Sequence, residues 1–454
     1  MKSSRNLLIG FLGLFMLNCH VCAQVIFAPA TNYTVGLWPD SVKAMDVNGD
    51  GKVDLICRNS GYFYVSVLTN SGSGDFVASS SPSVDGGVFW YAAADLNGDG
   101  KVDLVCESYY EINALSLMTN DGSGDFALSS KIAMPYEADL FMTADMNGDN
   151  RADLLQYSGS ISIFTNDEFG SFVIDPPYAV SAWSPPAGGP WGGGPAVMIA
   201  ADVNRDGKTD LILGKPYDNT LSVMTNNGSG VVVLSATLIT GNGCYTVAAG
   251  DVNGDGRVDL ICANSDDNTL MVFTNNGNGG FVTNATYAVG SNPNSIITAD
   301  INGDGKLDLI CANSGTNTLS ILTNNGSGGF ALAATPNVGG VSSSIAAADI
   351  NGDGKLDLIC SIANSNILTV LVNTSIFPPP AFVPALIINH QQYGMNVSWP
   401  SASAGWSLQQ NTSLVNTNWS PSGYDGYEIA NDGLNKSLTL PPMTENLFFR
   451  LFHP

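Results

Sequence analysis

The nine residues Asp300-Ile301-Asn302-Gly303-Asp304-Gly305-Lys306-Leu307-Asp308 place side-chain oxygens at positions 1, 3, 5 and 9, with glycine at position 6. The same D-x-N-x-D-x-x-x-D pattern begins at Asp46, Asp95, Asp145, Asp202, Asp251, Asp300 and Asp349, at intervals of 49, 50, 57, 49, 49 and 49 residues. A period near 50 residues is that of propeller blades or solenoid units, each too small to bury a core alone.

Only a hard cation needs that spacing of oxygens. Calcium takes six to eight, and EF-hand loops supply them from positions 1, 3, 5 and 9 and a carbonyl at position 7, with glycine at 6 for the sharp turn. The candidate ligand side chains are Asp46, Asn48, Asp50 and Asp54; Asp95, Asn97, Asp99 and Asp103; Asp145, Asn147, Asp149 and Asp153; Asp202, Asn204, Asp206 and Asp210. The last three loops offer Asp251, Asn253, Asp255 and Asp259; Asp300, Asn302, Asp304 and Asp308; Asp349, Asn351, Asp353 and Asp357. Position 7 is always basic (Lys52, Lys101, Arg151, Lys208, Arg257, Lys306, Lys355), which fits a backbone carbonyl facing the ion while the side chain points to water.

Without an ion, the carboxylates of each loop would repel, by roughly 4 kcal/mol for two charges 4 Å apart at an effective dielectric near 20. Asp, Asn and Gly also dominate ordinary acidic turns. Seven in-phase copies that keep every oxygen favour about seven structural calcium ions instead. Magnesium fits less well because it keeps its waters. Two loops depart from the pattern: Asn150 replaces the position-6 glycine and Arg205 stands at position 4. Neither removes an oxygen, and Asn tolerates the left-handed conformation.

Within the sixth repeat, SIITAD, LDLICAN, TLSILT and FALAATPNV read as four short strands, the last two joined by a glycine-rich hairpin. Runs such as Ala92-Ala93-Ala94 suit an innermost strand crowded against an axis. Four antiparallel strands repeated radially predict an all-β, seven-bladed propeller. The segment VIFAPATNYTVG matches the outer-strand phase of Phe281–Gly290, while the seventh repeat stops after ILTVLVN. The first segment is therefore expected to complete the last blade and remove its open edge.

These loops and this period resemble the FG-GAP/VCBS repeat family, which includes the propeller of integrin alpha chains. The resemblance covers residues 24–376 and implies calcium in the loop joining the first two strands of each blade, with ligands met on the opposite face. After Asn373 the chain passes through a proline-rich linker (377–384) into a segment (385–454) whose short runs predict a small β-sandwich-like domain. Its ending at Phe448-Phe449-Arg450-Leu451 looks like modules appended to secreted bacterial proteins.

Lys2 and Arg5, the apolar run Leu7–Leu17 and Val21-Cys22-Ala23 read as a signal peptide (1–23), cleaved before Gln24, so the mature chain is expected to be secreted or held at the outer cell surface. Cys19 raises lipidation as an alternative, although Asn18 precedes it where a small residue is wanted. No later run is long enough to span a membrane. The formal charge is -24, and more than half of the 40 acidic residues sit in the seven loops. That balance argues against nucleic acid or anionic membrane as partners.

Cys57, Cys106, Cys262, Cys311 and Cys360 recur eleven residues after the first Asp of their loops. Equivalent positions on different blades are too far apart to bridge, so these read as small buried apolar residues. Cys244, in a connection, is the exception.

Aromatic residues crowd the connections of the first four repeats: Trp38, Tyr62, Tyr64, Trp90, Tyr109, Tyr110, Tyr136, Tyr157, Trp183, Trp191 and Tyr217. Rings beside Asp, Asn and Glu suit sugars, and Tyr62, Trp90, Tyr109, Tyr110, Trp183, Trp191 and Tyr217 are the candidate ligand-binding residues. Packing between blades is the competing reading. The leading expectation is a binding or adhesion module for a glycan or a surface protein. A polysaccharide lyase or glycosidase and a passive scaffold are the alternatives. The propeller has no histidine, since His390 and His453 lie beyond it and His20 in the leader. Pairs such as Glu107 with Glu111 or Glu137 with Asp139 are the carboxylates a glycosidase would need.

Overall fold

The computed structural model describes residues 25–375, apart from 109–113, 135–139, 159, 168–170, 175–196, 229–230 and 278, together with the strands of the C-terminal segment named below. The chain divides into two compact units, one ending at Ile376 and the other beginning at Phe377.

The first unit is a seven-bladed propeller built from seven four-stranded antiparallel sheets. Blade 6 shows the pattern: Pro293–Ala299, Asp308–Asn313, Thr318–Asn324 and Phe330–Ala334 pair in chain order. First strands of neighbouring blades approach one another, blade 1 against blade 7 included. The alanine runs fit there because larger side chains would collide at the axis.

Closure is by the first strand. Thr31–Thr34 pairs with Ile367–Val370 as the outer strand of blade 7, and Phe27 bridges to Asn373. The Tyr33 ring meets Phe76 of blade 1 edge-on at 5.3 Å, as Tyr287 of blade 5 meets Phe330 of blade 6 at 5.5 Å. The expected match between the two segments is thus realised down to the ring contact.

Among the described residues, the propeller core falls into seven apolar clusters, each drawn from two adjacent blades. Ile359, Leu368 and Val370 of blade 7 pack on Val42, Leu55 and Phe76 of blade 1, for example. Position 2 of every acidic loop is a buried apolar residue (Val47, Leu96, Met146, Val203, Val252, Ile301, Ile350). Its side chain anchors the loop between blades, a role that the oxygen pattern alone conceals.

Cys57, Cys106, Cys311 and Cys360 are free and buried, as small core residues. Cys262 is not: it is disulfide-bonded to Cys244, with Cα atoms 5.9 Å apart. Cys244 belongs to the first strand of blade 5 (Cys244–Gly250), not to a connection. The phase argument fails here because it compares blades, whereas this bridge joins neighbouring strands of one blade.

In the second unit, Ile387–Gln391, Gly394–Pro400, Asn435–Leu440 and Ala430–Asn431 form one sheet, and Ser420–Pro421, Ser407–Asn411 and Phe448–Phe452 another. Val397 faces Leu438 across the first sheet, and both are buried.

Candidate metal centres and the opposite face

Each D-x-N-x-D-x-x-x-D loop joins the first and second strands of its blade, and its polar side chains are held by the loop's own backbone. In loop 1 the two carboxylate oxygens of Asp46 accept from the Gly49 and Gly51 amides at 2.8 Å. Asn48 accepts from the Asp50 amide, and Asp50 from the Lys52 amide. In loop 2, Asp95, Asp99 and Asp103 each bring a carboxylate oxygen within 4.8 Å of the other two.

The position-9 aspartate is fully buried in all seven loops. Asp308 accepts from the Ile301 amide through one oxygen and from the Asn324 amide through the other. Burial raises the pKa of this carboxyl in every loop, the position-5 and position-1 carboxylates add to the rise, and the backbone donors oppose it. In Asp308 the result is about 7. A nearby dication would favour the ionised form that burial disfavours.

Left-handed backbone is required at positions 4 and 6. Asn150 takes φ 64° at position 6, as the sequence allows. Arg205 takes φ 64° at position 4, where the other loops use glycine. An L side chain pays roughly 1 kcal/mol or more there. Replacing Arg205 by Gly is therefore expected to leave binding capacity intact and raise thermal stability by about 0.5–1 kcal/mol, read from a melt; an unchanged or lower Tm would mean that the side chain contributes compensating contacts.

The position-7 cations do not simply point to water. Each pairs with the position-5 aspartate of its own loop, from 2.7 Å for Arg151–Asp149 to 3.9 Å for Lys101–Asp99 and Lys208–Asp206. Several also donate to a carbonyl of the hairpin between the third and fourth strands, as Lys101 does to Asp121 at 2.9 Å. The stem lies across a hairpin glycine: a Cβ on Gly72 (φ +95°) would sit 2.8 Å from Lys52 Cε. Exposed pairs of this kind contribute little stability. Where the side chain also reaches a carbonyl, as Lys101, Arg151, Lys208 and Lys306 do, it ties the loop to the end of the third strand or the hairpin of its own blade.

A second set of residues was hidden in the sequence, although its spacing is regular. The asparagine that ends the third strand of blades 1 to 6 (Asn70, Asn120, Asn166, Asn226, Asn275, Asn324), and Asn373 two residues past that of blade 7, are buried. Asn324 donates from Nδ2 to the Leu307 carbonyl of its own loop at 2.8 Å and to the Val252 carbonyl of the preceding loop at 2.7 Å. Asn70 closes the circle, reaching Val53 of its own blade and Ile350 of blade 7. A Thr-Asn pair recurring at the end of the third strand in six of the seven repeats was the available signal.

At the other end of the blades, Tyr62 is 63% exposed and stacks on Tyr64, with centroids 6.3 Å apart and planes 16° from parallel. Tyr62, Phe63, Tyr64, Ser81, Ser83, Val84 and Gly87 line an open groove of ≈ 430 Å³. Trp38 lies beside this turn, its carbonyl accepting from the Ser60 amide. Tyr217 is also exposed and meets Tyr245 edge-on. Trp90 is only partly exposed and is capped by the Arg58 guanidinium, 5.0 Å from its ring, while Arg58 grips Asp40 through two 2.6 Å bonds. Tyr157 is buried between blades 3 and 4 and is no surface aromatic. Tyr109, Tyr110, Tyr136, Trp183 and Trp191 lie outside the described residues, as do Glu111, Glu137 and Asp139 of the candidate acid pairs.

Radial sheets and in-phase acidic loops define a repeat propeller. The FG-GAP-like repeat family model matches residues 46–106, 145–213, 202–262, 251–311 and 300–360, more than half of the chain, and the protein belongs to that family. Among solved structures, an Agrocybe aegerita lectin described for specific recognition of non-reducing terminal N-acetylglucosamine is similar at 19% identity and TM-score 0.51, over 75% of this chain and 86% of that one. BBS1N in complex with ARL6DN is similar at 11% identity and TM-score 0.54, over 77% and 96%. Likeness at these identities extends to the fold. No curated protein matches the sequence. No helix of the described residues is long and apolar enough to cross a membrane.

Proposed function

We propose that this chain is an exported, calcium-stabilised propeller that binds a glycan at the end of blade 1 opposite its metal loops. The side chains at positions 1, 3, 5 and 9 and the position-7 carbonyl would hold each ion, which supplies charge neutralisation to converging carboxylates. The donor set fits: it is all oxygen, and in loop 2 three carboxylates converge on one centre.

The observation that carries the binding reading is a pair of strained aromatics. Phe63 has φ 56° at the turn position where blades 4, 5 and 6 place Asn219, Asn268 and Asn317, all with φ between 54° and 57°. Trp38 has φ 56° where blade 6 places Asn292. A bulky side chain in this region costs roughly 1–2 kcal/mol, and strain of that kind persists at ligand clamps. Blade 1 keeps two such residues beside the stacked Tyr62–Tyr64 pair and the hydroxyls of Ser81 and Ser83. Flat rings flanked by hydroxyls match the apolar face and equatorial hydroxyls of a pyranose. Propellers of this shape include the Agrocybe aegerita lectin, whose ligand is a sugar.

A glycan array probed with the wild-type protein, Tyr62→Ala and Phe63→Asn tests this. Tyr62→Ala is expected to weaken capture roughly tenfold, in line with one lost aromatic contact. Phe63→Asn is expected to raise the Tm while weakening capture, the signature of strain kept for binding. Binding unchanged in both variants would remove this turn as the site.

A further inference from the structure

We infer that the seven buried asparagines are positioning residues that couple the metal loops into one ring, so that divalent-cation binding is cooperative between neighbouring blades; this rests on the calcium reading above. The bonds form a repeating circuit. In loop 5, the Val252 amide donates to Asp259 at 3.1 Å and the Val252 carbonyl accepts from Asn324 at 2.7 Å. The Asn324 amide donates to Asp308 of loop 6 at 2.7 Å, and its Nδ2 also donates to Leu307. Asp308 then accepts from the Ile301 amide, and the Ile301 carbonyl accepts from Asn373 of blade 7 at 2.9 Å. The circuit passes through Ile350 and Asn70 into blade 1, where Asp54 accepts from the Asn70 and Val47 amides. It has no free end.

Coupling needs an element with two arrangements that both sites bias. The loop supplies it, closed around a cation and pushed apart by its own carboxylates without one. Each asparagine donates both Nδ2 protons, one to a loop on either side, and in blades 6 and 1 its Oδ1 is also held by hairpin amides, Gly326 in the one and Gly72 and Gly74 in the other. It therefore cannot follow one loop as it opens without abandoning the other. Closing one loop fixes the asparagine that the next loop must otherwise order for itself, so the second ion binds a site whose ordering cost has already been met. The buried position-2 side chain makes the link stiff, since its carbonyl moves only with the interface between blades.

The test is calcium titration of the full chain in competition with a chromophoric chelator, comparing wild type with Asn324→Ser. Wild type is expected to bind with a Hill slope above 1. Asn324→Ser, which removes no ligand oxygen, is expected to keep its number of ions but to bind two of them about fivefold or more weakly, at the low end of ordinary coupling, with a reduced slope. A purely structural role would lower the chelated Tm and leave the slope alone. Independent sites in wild type, or an Asn324→Ser isotherm that superimposes on it, would overturn the coupling and leave the calcium reading standing; no uptake by wild type would remove both. Should Asn324→Ser not fold, Asp304→Asn serves instead. Coupling predicts that disabling loop 6 weakens loops 5 and 7, and six unchanged sites would refute it.

Discussion

Chelation of calcium is expected to lower the melting temperature by well over 10 °C. Extracellular calcium modules bind with dissociation constants of about 0.1–1 mM, so at roughly 10 mM each ion adds about 1.4–2.7 kcal/mol by mass action. Seven such sites together reach on the order of 10 kcal/mol, comparable to the whole stability of an ordinary domain. The pH dependence should reverse with the ion. In the metal-free chain the seven position-9 carboxyls have folded pKa values above their unfolded ones, with burial the first cause. The folded state then binds protons more tightly, so the stability these groups contribute is fully present below about pH 4, the ordinary aspartate range, and lost as pH rises through the folded values, about 7 for Asp308. Chelated protein should melt higher at about pH 5 than at about pH 7.5. Calcium requires the ionised form, and saturated protein should show the opposite order. Differential scanning calorimetry in four buffers checks both signs; a chelated Tm that climbs with pH would exclude the position-9 carboxyls as the controlling groups.

Removing residues 25–36 should be nearly as damaging. That segment supplies the outer strand of blade 7, the buried Val25, and Phe27, Tyr33 and Val35, which pack on the two clusters flanking that blade. At about 1.5–3 kcal/mol for each large apolar side chain, its loss removes on the order of 6–10 kcal/mol. It also exposes the Ile367–Leu371 edge to other chains. The truncated protein is expected to run as aggregate in size-exclusion chromatography, whereas Tyr33→Ala should elute with the wild type and show a lower Tm. A truncated protein that elutes with the wild type and melts cooperatively near the wild-type value would show that the ring does not depend on this closure.

Much of this molecule was legible beforehand because repetition converts weak local signals into strong ones. A single Asp-rich loop resembles any turn; seven at one period fix blade count, blade boundaries and loop position. The same phase comparison found Tyr33 and the closing strand. It failed where blades differ from one another. Cys244 has no counterpart in phase, so its bond to Cys262 was invisible. Tyr157 shared the surroundings of surface aromatics and is buried because the next blade covers it. The basic residues at position 7 gave no sign that they would fold back onto the position-5 carboxylate and the hairpin glycine.

By itself, the sequence determined the strand pattern, the ring of seven and the oxygen sets, since each depends on spacing along one chain and spacing survives in the linear text. Only the tertiary structure decided which loop speaks to which. The asparagine at the end of one blade's third strand bonds a carbonyl about 70 residues away in sequence, as Asn324 does to Val252. Such a partner is set by how twisted sheets pack around an axis, and packing distances between blades are nowhere written in the order of residues within them.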